Sequence, residues 1–379
     1  MKKLSLTLCL AFLFMTGFKA ESQTKLTASG LDPNNFKEVV NGKQTNLYVM
    51  KNKNGMEVCI TNFGGRIVSI MAPDKDGKFR DVVLGFDKVS DYVNIPSDFG
   101  AAIGRYANRI NKGRFKLDGK TIQLPVNNFG HCLHGGPKGW QYQVYTGKQL
   151  SDTTLEMIMH SPDGDMNFPG AVTAIVTYTL KSNNSIDITY KATTTKPTVI
   201  NMTNHSYFNL IGDPDKLSLD NILYINADNY TPVDNTFMTT GEILPVKDTP
   251  LDFSKPKYIN KDINDTTNIQ IKNANGYDHN WVLNTKGDIR RLAAELYSQN
   301  SGIFVKVYTN EPGIQVYTGN FLDGTVKGKN GKIYKKHASV CLETQHYPDS
   351  PNKPTWPSTV LVPGKTYFSH CIFQFGILK

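Results

Sequence analysis

Two side chains in this sequence have the types needed to move a pair of protons. His205 stands inside Thr-Asn-His-Ser-Tyr-Phe-Asn-Leu at 203–210, and Glu343 closes the run Ser-Val-Cys-Leu-Glu at 339–343. Both runs read as β-strands that present a proton-handling group to a polar pocket. An imidazole titrating near about 6.5 and a carboxylate near about 4.3 can serve as acid and base at neutral pH. Each proton transfer by a positioned group contributes roughly 10²–10⁴-fold to a rate, so two can suffice without a metal or redox cofactor.

Three further stretches carry more polar content than strand packing requires. Gly104-Arg105-Tyr106-Ala107-Asn108-Arg109-Ile110 places two guanidinium groups and an amide among small residues, donors suited to a polyhydroxylated ligand. Residues 127–136 hold His131, Cys132 and His134 within four positions, but no standard zinc spacing is met and His-Glu-x-x-His is absent. The third group is Asp278-His279-Asn280 with residues 312–320 and 341–345; Asp278 and Glu343 are carboxylates in otherwise uncharged surroundings, which points to buried working groups. Taken one at a time these have plain structural readings: an ion-paired loop, a satisfied core histidine, half of a salt bridge.

The elements that must position these groups are strands. Residues 56–61, 113–117, 155–160, 172–180, 186–192, 303–307 and 314–318 are short and rich in Val, Ile, Thr, Tyr and Phe. Ile186, Ile188 and Tyr190 alternate with polar residues and so share one face. Asp118-Gly119 between 114–117 and 120–124 predicts a hairpin, and Asn54-Gly55, Asp76-Gly77 and Asn330-Gly331 mark other turns. Helical periodicity is confined to one or two turns within 86–94. Many antiparallel strands at short spacing, with no linker or low-complexity block between them, predict an all-β chain folded as one large sandwich.

The chain has 379 residues, 39% hydrophobic and 20% charged, an ordinary balance for a globular protein. Its formal charge of +9 comes from scattered residues rather than Lys/Arg blocks, so a nucleic-acid partner is not expected. At the N-terminus Met1-Lys2-Lys3 precedes an apolar run at 4–18, shorter than a spanning helix needs, and Ala20-Glu21-Ser22 supplies small residues for cleavage. The expected organisation is a signal peptide at 1–22, an extension at 23–35 and one domain at 36–379. The expected destination is the periplasm, with no membrane span in the mature form. Cys59, Cys132, Cys341 and Cys371 are few and irregularly spaced, which argues against a disulfide framework.

Residues 104–110, 127–136, 203–210, 278–280, 312–322 and 341–345, in this order, resemble the galactose mutarotase (aldose 1-epimerase) family, and the similarity runs from about residue 36 to the C-terminus. The resemblance implies a galactose mutarotase-like antiparallel β-supersandwich with a shallow site for a free aldohexose such as galactose or glucose. It implies Glu343 as the base that takes the anomeric hydroxyl proton, His205 as the acid that protonates the ring oxygen, and His134 as a second histidine beside that oxygen. Asp278 would accept hydrogen bonds from sugar hydroxyls, with Asn108, Arg109 and Gln315 as further binding positions. No metal or other cofactor is implied, and the expected form is a monomer or weak dimer.

An aldose exchanges anomers through its open-chain aldehyde, which requires proton loss at the C1 hydroxyl and proton gain at the ring oxygen. A carboxylate and an imidazolium on opposite sides of the sugar would supply both, their attraction favouring the charged pair. Activity is then expected to fall in acid as Glu343 protonates and in alkali as His205 deprotonates. The competing expectations are a non-catalytic carbohydrate-binding protein, a hexose-phosphate epimerase of the same fold, for which a denser Arg/Lys cluster is expected, and a glycoside hydrolase using two carboxylates.

Overall fold

Along Val172–Leu180 the side chains alternate strictly, with Val172, Ala174, Val176, Tyr178 and Leu180 turned inward, as a strand with one buried face requires. The computed structural model describes residues 25–378; the expected signal peptide lies outside them. That strand is third in a nine-stranded sheet ordered Thr146–Ser151, Thr154–Ser161, Val172–Leu180, Ser185–Thr194, Tyr367–Ile377, Ile303–Thr309, Ala294–Tyr297, Ile222–Ile225 and Lys257–Tyr258. Neighbours are antiparallel throughout. Ile186, Ile188 and Tyr190 are buried together, as their alternation predicts.

A six-stranded sheet packs on this one and carries the polar segments. Its order is Tyr207–Phe208, Val340–Gln345, Gly313–Tyr317, Asp278–Leu283, Ala227–Thr231 and Leu244–Pro245. Trp281, Ile314, Val316, Val340 and Leu342 point into the main hydrophobic core. Because successive side chains in a strand point to opposite faces, Asp278, Asn280, Gln315, Tyr317, Cys341 and Glu343 share the other face; the register confirms it, pairing Asp278 with Tyr317, Asn280 with Gln315, and Gln315 with Glu343. One pleat therefore both builds the core and gathers the polar groups.

The predicted hairpin forms, Arg114–Leu117 against Lys120–Gln123. A four-stranded sheet, Leu47–Lys51, Glu57–Thr61, Arg66–Pro73 and Phe79–Asp81, covers another part of the molecule. Residues 25–35, expected to precede the domain, pack onto it: Asp32 caps a 3-10 turn at Pro33–Phe36, and Leu31 and Phe36 are buried in an apolar cluster with Val68, Leu84 and Tyr334. The helix expected within 86–94 occupies Val89–Asn94. A second one, Ile269–Ala274, was not expected; Asn268 caps it by accepting from the Gln270 and Ile271 N–H groups. Cys59, Cys132, Cys341 and Cys371 are buried free thiols.

Candidate active site

Sheet register brings the two proton-handling groups together. Tyr207 pairs with Cys341 in an antiparallel ladder, so two residues further along His205 comes opposite Glu343. His205 Nε2 lies 3.5 Å from Glu343 Oε1. On its other side, Thr203–His205 pairs with Ala101–Ile103, His205 opposite Ala101. Both groups line a cavity of about 220 Å³ with His134, Asn108, Arg109, Asp278 and Asp98. That is small beside the roughly 300–1,000 Å³ of drug-sized sites and suits one small polar ring. The groups stand side by side rather than on opposite sides of a ligand. Side-by-side placement matches a hemiacetal, whose two reacting oxygens are bonded to the same carbon.

The surrounding contacts fix orientation. His134 Nδ1 accepts the Asn108 N–H at 3.1 Å, which leaves Nε2 as the protonated, donating nitrogen. Asn108 and His134 both hold left-handed backbone, at φ 61° and 51°; strained positions of this kind cluster at functional sites. Arg109 Nε donates to Asn128 Oδ1 at 3.0 Å, and its guanidinium lies over the Phe237 ring. Gln315 Nε2 donates to Asp278 Oδ1 at 2.7 Å. The His205 ring stacks on Tyr207 with centroids 4.9 Å apart.

Burial works against charge on both reacting groups. It pushes the Glu343 carboxyl well above its usual range, Asp278 and Asp98 add to the push, and Arg109 opposes it. It draws His205 below the ordinary imidazole value, opposed by Asp98. At 3.5 Å their mutual contact is longer than a charge-assisted hydrogen bond of about 2.7–2.9 Å and does not offset this. The attraction expected to favour the charged pair is therefore opposed by burial of both groups. Burial also drives His134 down to about 3, so at neutral pH it is a neutral hydrogen-bond donor. Asp278 is raised by burial, with Arg109 and Gln315 opposing.

Other polar residues of the same segments face elsewhere. Arg105 turns away from the cavity and ties down the 161–170 loop, donating to the Pro169 and Gly170 carbonyls and to Ser161. His131 accepts the Lys112 N–H at Nδ1 and contacts Thr236 through Nε2, while Cys132 sits in an apolar cluster, so neither converges with His134. Gln315 stands behind Asp278, outside the cavity lining, because its amide is held by that carboxylate. The described residues that could hold a cation by spacing are Asp98, His134 and His205, whose ligand atoms lie within 4.8 Å of one another. A wider groove of about 700 Å³ beside Lys112, Arg114, Lys116 and Lys353 has no facing acid and base.

Comparison with known proteins places this geometry. The family model described as aldose 1-epimerase matches residues 46–374. The chain belongs to that family. It is 41% identical to galactose mutarotase of Homo sapiens over 322 residues, covering 85% of this chain and 92% of the relative. It is 37% identical to aldose 1-epimerase of Escherichia coli K12 over 337 residues, 88% and 96% respectively. Among solved structures, an aldose epimerase homologue from C. elegans aligns with a TM-score of 0.82 at 30% identity, covering 88% of this chain and 100% of that one. Galactose 1-epimerase of Lactobacillus acidophilus aligns at 0.80 with 27% identity, covering 90% and 97%. The supersandwich expected from the resemblance is the observed architecture.

Within this cavity, the sequence did not single out Asp98, Asn128, Tyr207, Tyr317 and Phe321, all of which line it. Asp98 is the one that bears on proton chemistry. It lies in the loop before Ala101–Ile103, and Gly100 N–H donates to the His205 carbonyl at 3.0 Å, which draws that loop to the imidazole. Its Oδ1 is buried without a hydrogen-bond partner among the described residues. In sequence it is one aspartate before Phe-Gly, indistinguishable from a surface loop residue. Only the pairing of two strands a hundred residues apart reveals it.

Proposed function

We propose that this protein catalyses anomer exchange of a free aldohexose such as glucose or galactose, with Glu343 as base and His205 as acid. The observation that carries the reading is the 3.5 Å approach of His205 Nε2 to Glu343 Oε1 inside a one-ring cavity. Glu343 takes the C1 hydroxyl proton while His205 delivers one to the ring oxygen; the C1–O5 bond breaks and the aldehyde forms. Rotation about C1–C2 turns the other carbonyl face to the returning C5 hydroxyl, and the two groups reverse roles on closure. His134 Nε2–H donates to the ring oxygen and supports its developing charge. Asp278 and Arg109, with Asn108, hold hydroxyls at the far end.

Substrate binding favours the active charges. Glu343 Oε2 has no hydrogen-bond partner among the described residues, so the C1 hydroxyl donates to it and stabilises the carboxylate that burial disfavours. The test follows the optical rotation of freshly dissolved α-glucose and α-galactose with and without the protein. Faster relaxation of at least one sugar is expected; relaxation at the buffer rate for both would refute the reading. The basic start and the apolar run at 4–18 support export to the periplasm. Recovery of the intact N-terminus from the cytoplasmic fraction alone would refute that.

A further inference from the structure

Asp98 holds an unsatisfied oxygen at the reacting end of the cavity, in a loop that the fold fixes from several sides. Arg66, fully buried, donates from Nη2 to the Ser97 carbonyl at 2.9 Å and from Nη1 to the Phe99 carbonyl at 3.0 Å, so one guanidinium grips the residues on either side of Asp98. The same group donates to the Gln141 carbonyl at 2.8 Å. Asn204 Nδ2 donates to the Gly100 carbonyl at 3.0 Å, and Gly100 N–H donates to the His205 carbonyl at 3.0 Å. Phe99 is buried among Phe86, Tyr207 and Tyr334. A loop tied in this way holds its aspartate in one place, as a binding group requires.

That place is beside both histidines. A carboxylate oxygen of Asp98 and one ring nitrogen each from His134 and His205 lie within 4.8 Å of one another, and all three side chains line the cavity. Asp98 Oδ1 is buried with no hydrogen-bond partner among the described residues. An acceptor left unpaired in this way is costly, and pairing it with a ligand donor is favourable. A cation fits poorly, because His134 Nδ1 accepts the Asn108 N–H and Nε2 therefore keeps a proton where a metal bond would have to form. A hydroxyl group brings its own proton and fits the acceptor.

We infer, resting on the aldose reading of the cavity, that Asp98 accepts the C6 hydroxyl of the sugar and makes the site selective for aldohexoses over sugars that lack that group. With the ring oxygen against His205 and His134, the two carbons bonded to that oxygen are C1 and C5. The C1 hydroxyl faces Glu343, so the substituent left beside the histidines is the hydroxymethyl group on C5. Its hydroxyl donates to Asp98 Oδ1, while hydroxyls further round the ring meet Asp278 and Arg109. A 6-deoxyhexose places a methyl there and an aldopentose places nothing. Both leave the carboxylate oxygen unpaired, and a site built to receive a hydroxyl rejects an analogue without it.

The test measures kcat/KM by anomer-resolved NMR for D-galactose, 6-deoxy-D-galactose and L-arabinose, whose ring hydroxyls share one configuration and which differ at C6. The native protein is compared with Asp98→Ala and with Asp98→Asn, which keeps the shape of the side chain. Native protein is expected to favour galactose over each of the other two by about tenfold or more, the size of one hydrogen bond to a charged acceptor. In Asp98→Ala that preference should shrink to within about threefold, with Asp98→Asn between the two. A ratio of two sugars in one variant cancels whatever Asp98 does to the charges of His205 and Glu343, so it isolates contact with C6. A native preference within about twofold, or a tenfold preference that survives both substitutions, overturns the assignment. A native protein that accelerates none of the three sugars fails the underlying aldose reading instead.

Discussion

Glu343→Gln should inactivate the protein and stabilise it at the same time. Glutamine keeps the shape of a side chain that is 2% exposed, so packing in the sheet is retained, but it cannot take a proton. Loss of a positioned base lowers turnover by at least about 100-fold. The stability change follows from the raised pKa. A carboxyl held above its unfolded value of 4.5 binds a proton more tightly in the folded chain. Its contribution to stability is therefore fully present below pH 4.5 and is lost as pH rises through the folded value. A buried charge short of partners costs about 1–3 kcal/mol or more. At about 2.1 cal/mol/K per residue, 379 residues give an unfolding entropy of about 0.8 kcal/mol/K, so the glutamine should raise Tm by about 1–4 °C. The assay pairs polarimetric turnover with thermal melts from pH 5 to 9. The Tm gain should be smallest at pH 5 and grow with pH. Turnover within tenfold of native, or a Tm that falls with the substitution, would refute the reasoning.

Asp98→Asn removes a charge that raises both His205 and Glu343. Below the His205 value both groups are protonated and no base remains; above the Glu343 value both are deprotonated and no acid remains. Both limbs of the pH–rate profile should therefore move to lower pH in this variant, and limbs that stay in place would exclude an electrostatic role. Asp278→Ala removes the acceptor held by Gln315 and should raise KM for glucose about tenfold or more with a smaller change in kcat, read from initial rates. Arg105→Met strips buried donors from the 161–170 loop and should cost at least about 3 kcal/mol in urea unfolding with little change in KM, since the guanidinium faces away from the cavity.

Period-2 alternation made the strands readable: Ile186, Ile188 and Tyr190 point inward as their spacing requires, and Asp118-Gly119 closes its hairpin. His205, Glu343, Asp278 and Arg109 were legible because polar and charged groups within apolar or small-residue runs stand out, and the set they form resembles one family. The order of the sheets was not legible, since Ser185–Thr194 pairs with Tyr367–Ile377, a partner far away in sequence. The helix at Ile269–Ala274 is too short to show a period. Arg105 and Arg109 look alike in sequence, yet Arg105 is held by the 161–170 loop and only Arg109 reaches the cavity. Asp98 sits in a loop, where side-chain direction follows from tertiary contacts rather than from spacing.

The same pleat explains why the reacting groups are poised rather than resting in their active charges. Alternation along Val340–Gln345 sends Val340 and Leu342 into the core and Glu343 out to the polar face, so the strand that supplies the base is anchored by apolar burial on its reverse side. That anchoring holds Glu343 beneath His205 and Tyr207 with little water, which is what raises its pKa. A solvated carboxylate would be ionised at neutral pH but a weak base toward a sugar hydroxyl. A buried one accepts the proton more readily, provided that the substrate supplies the hydrogen bond that the protein withholds from Oε2. Stability given up at this position is thus tied to reactivity, and a substitution that relieves one should abolish the other.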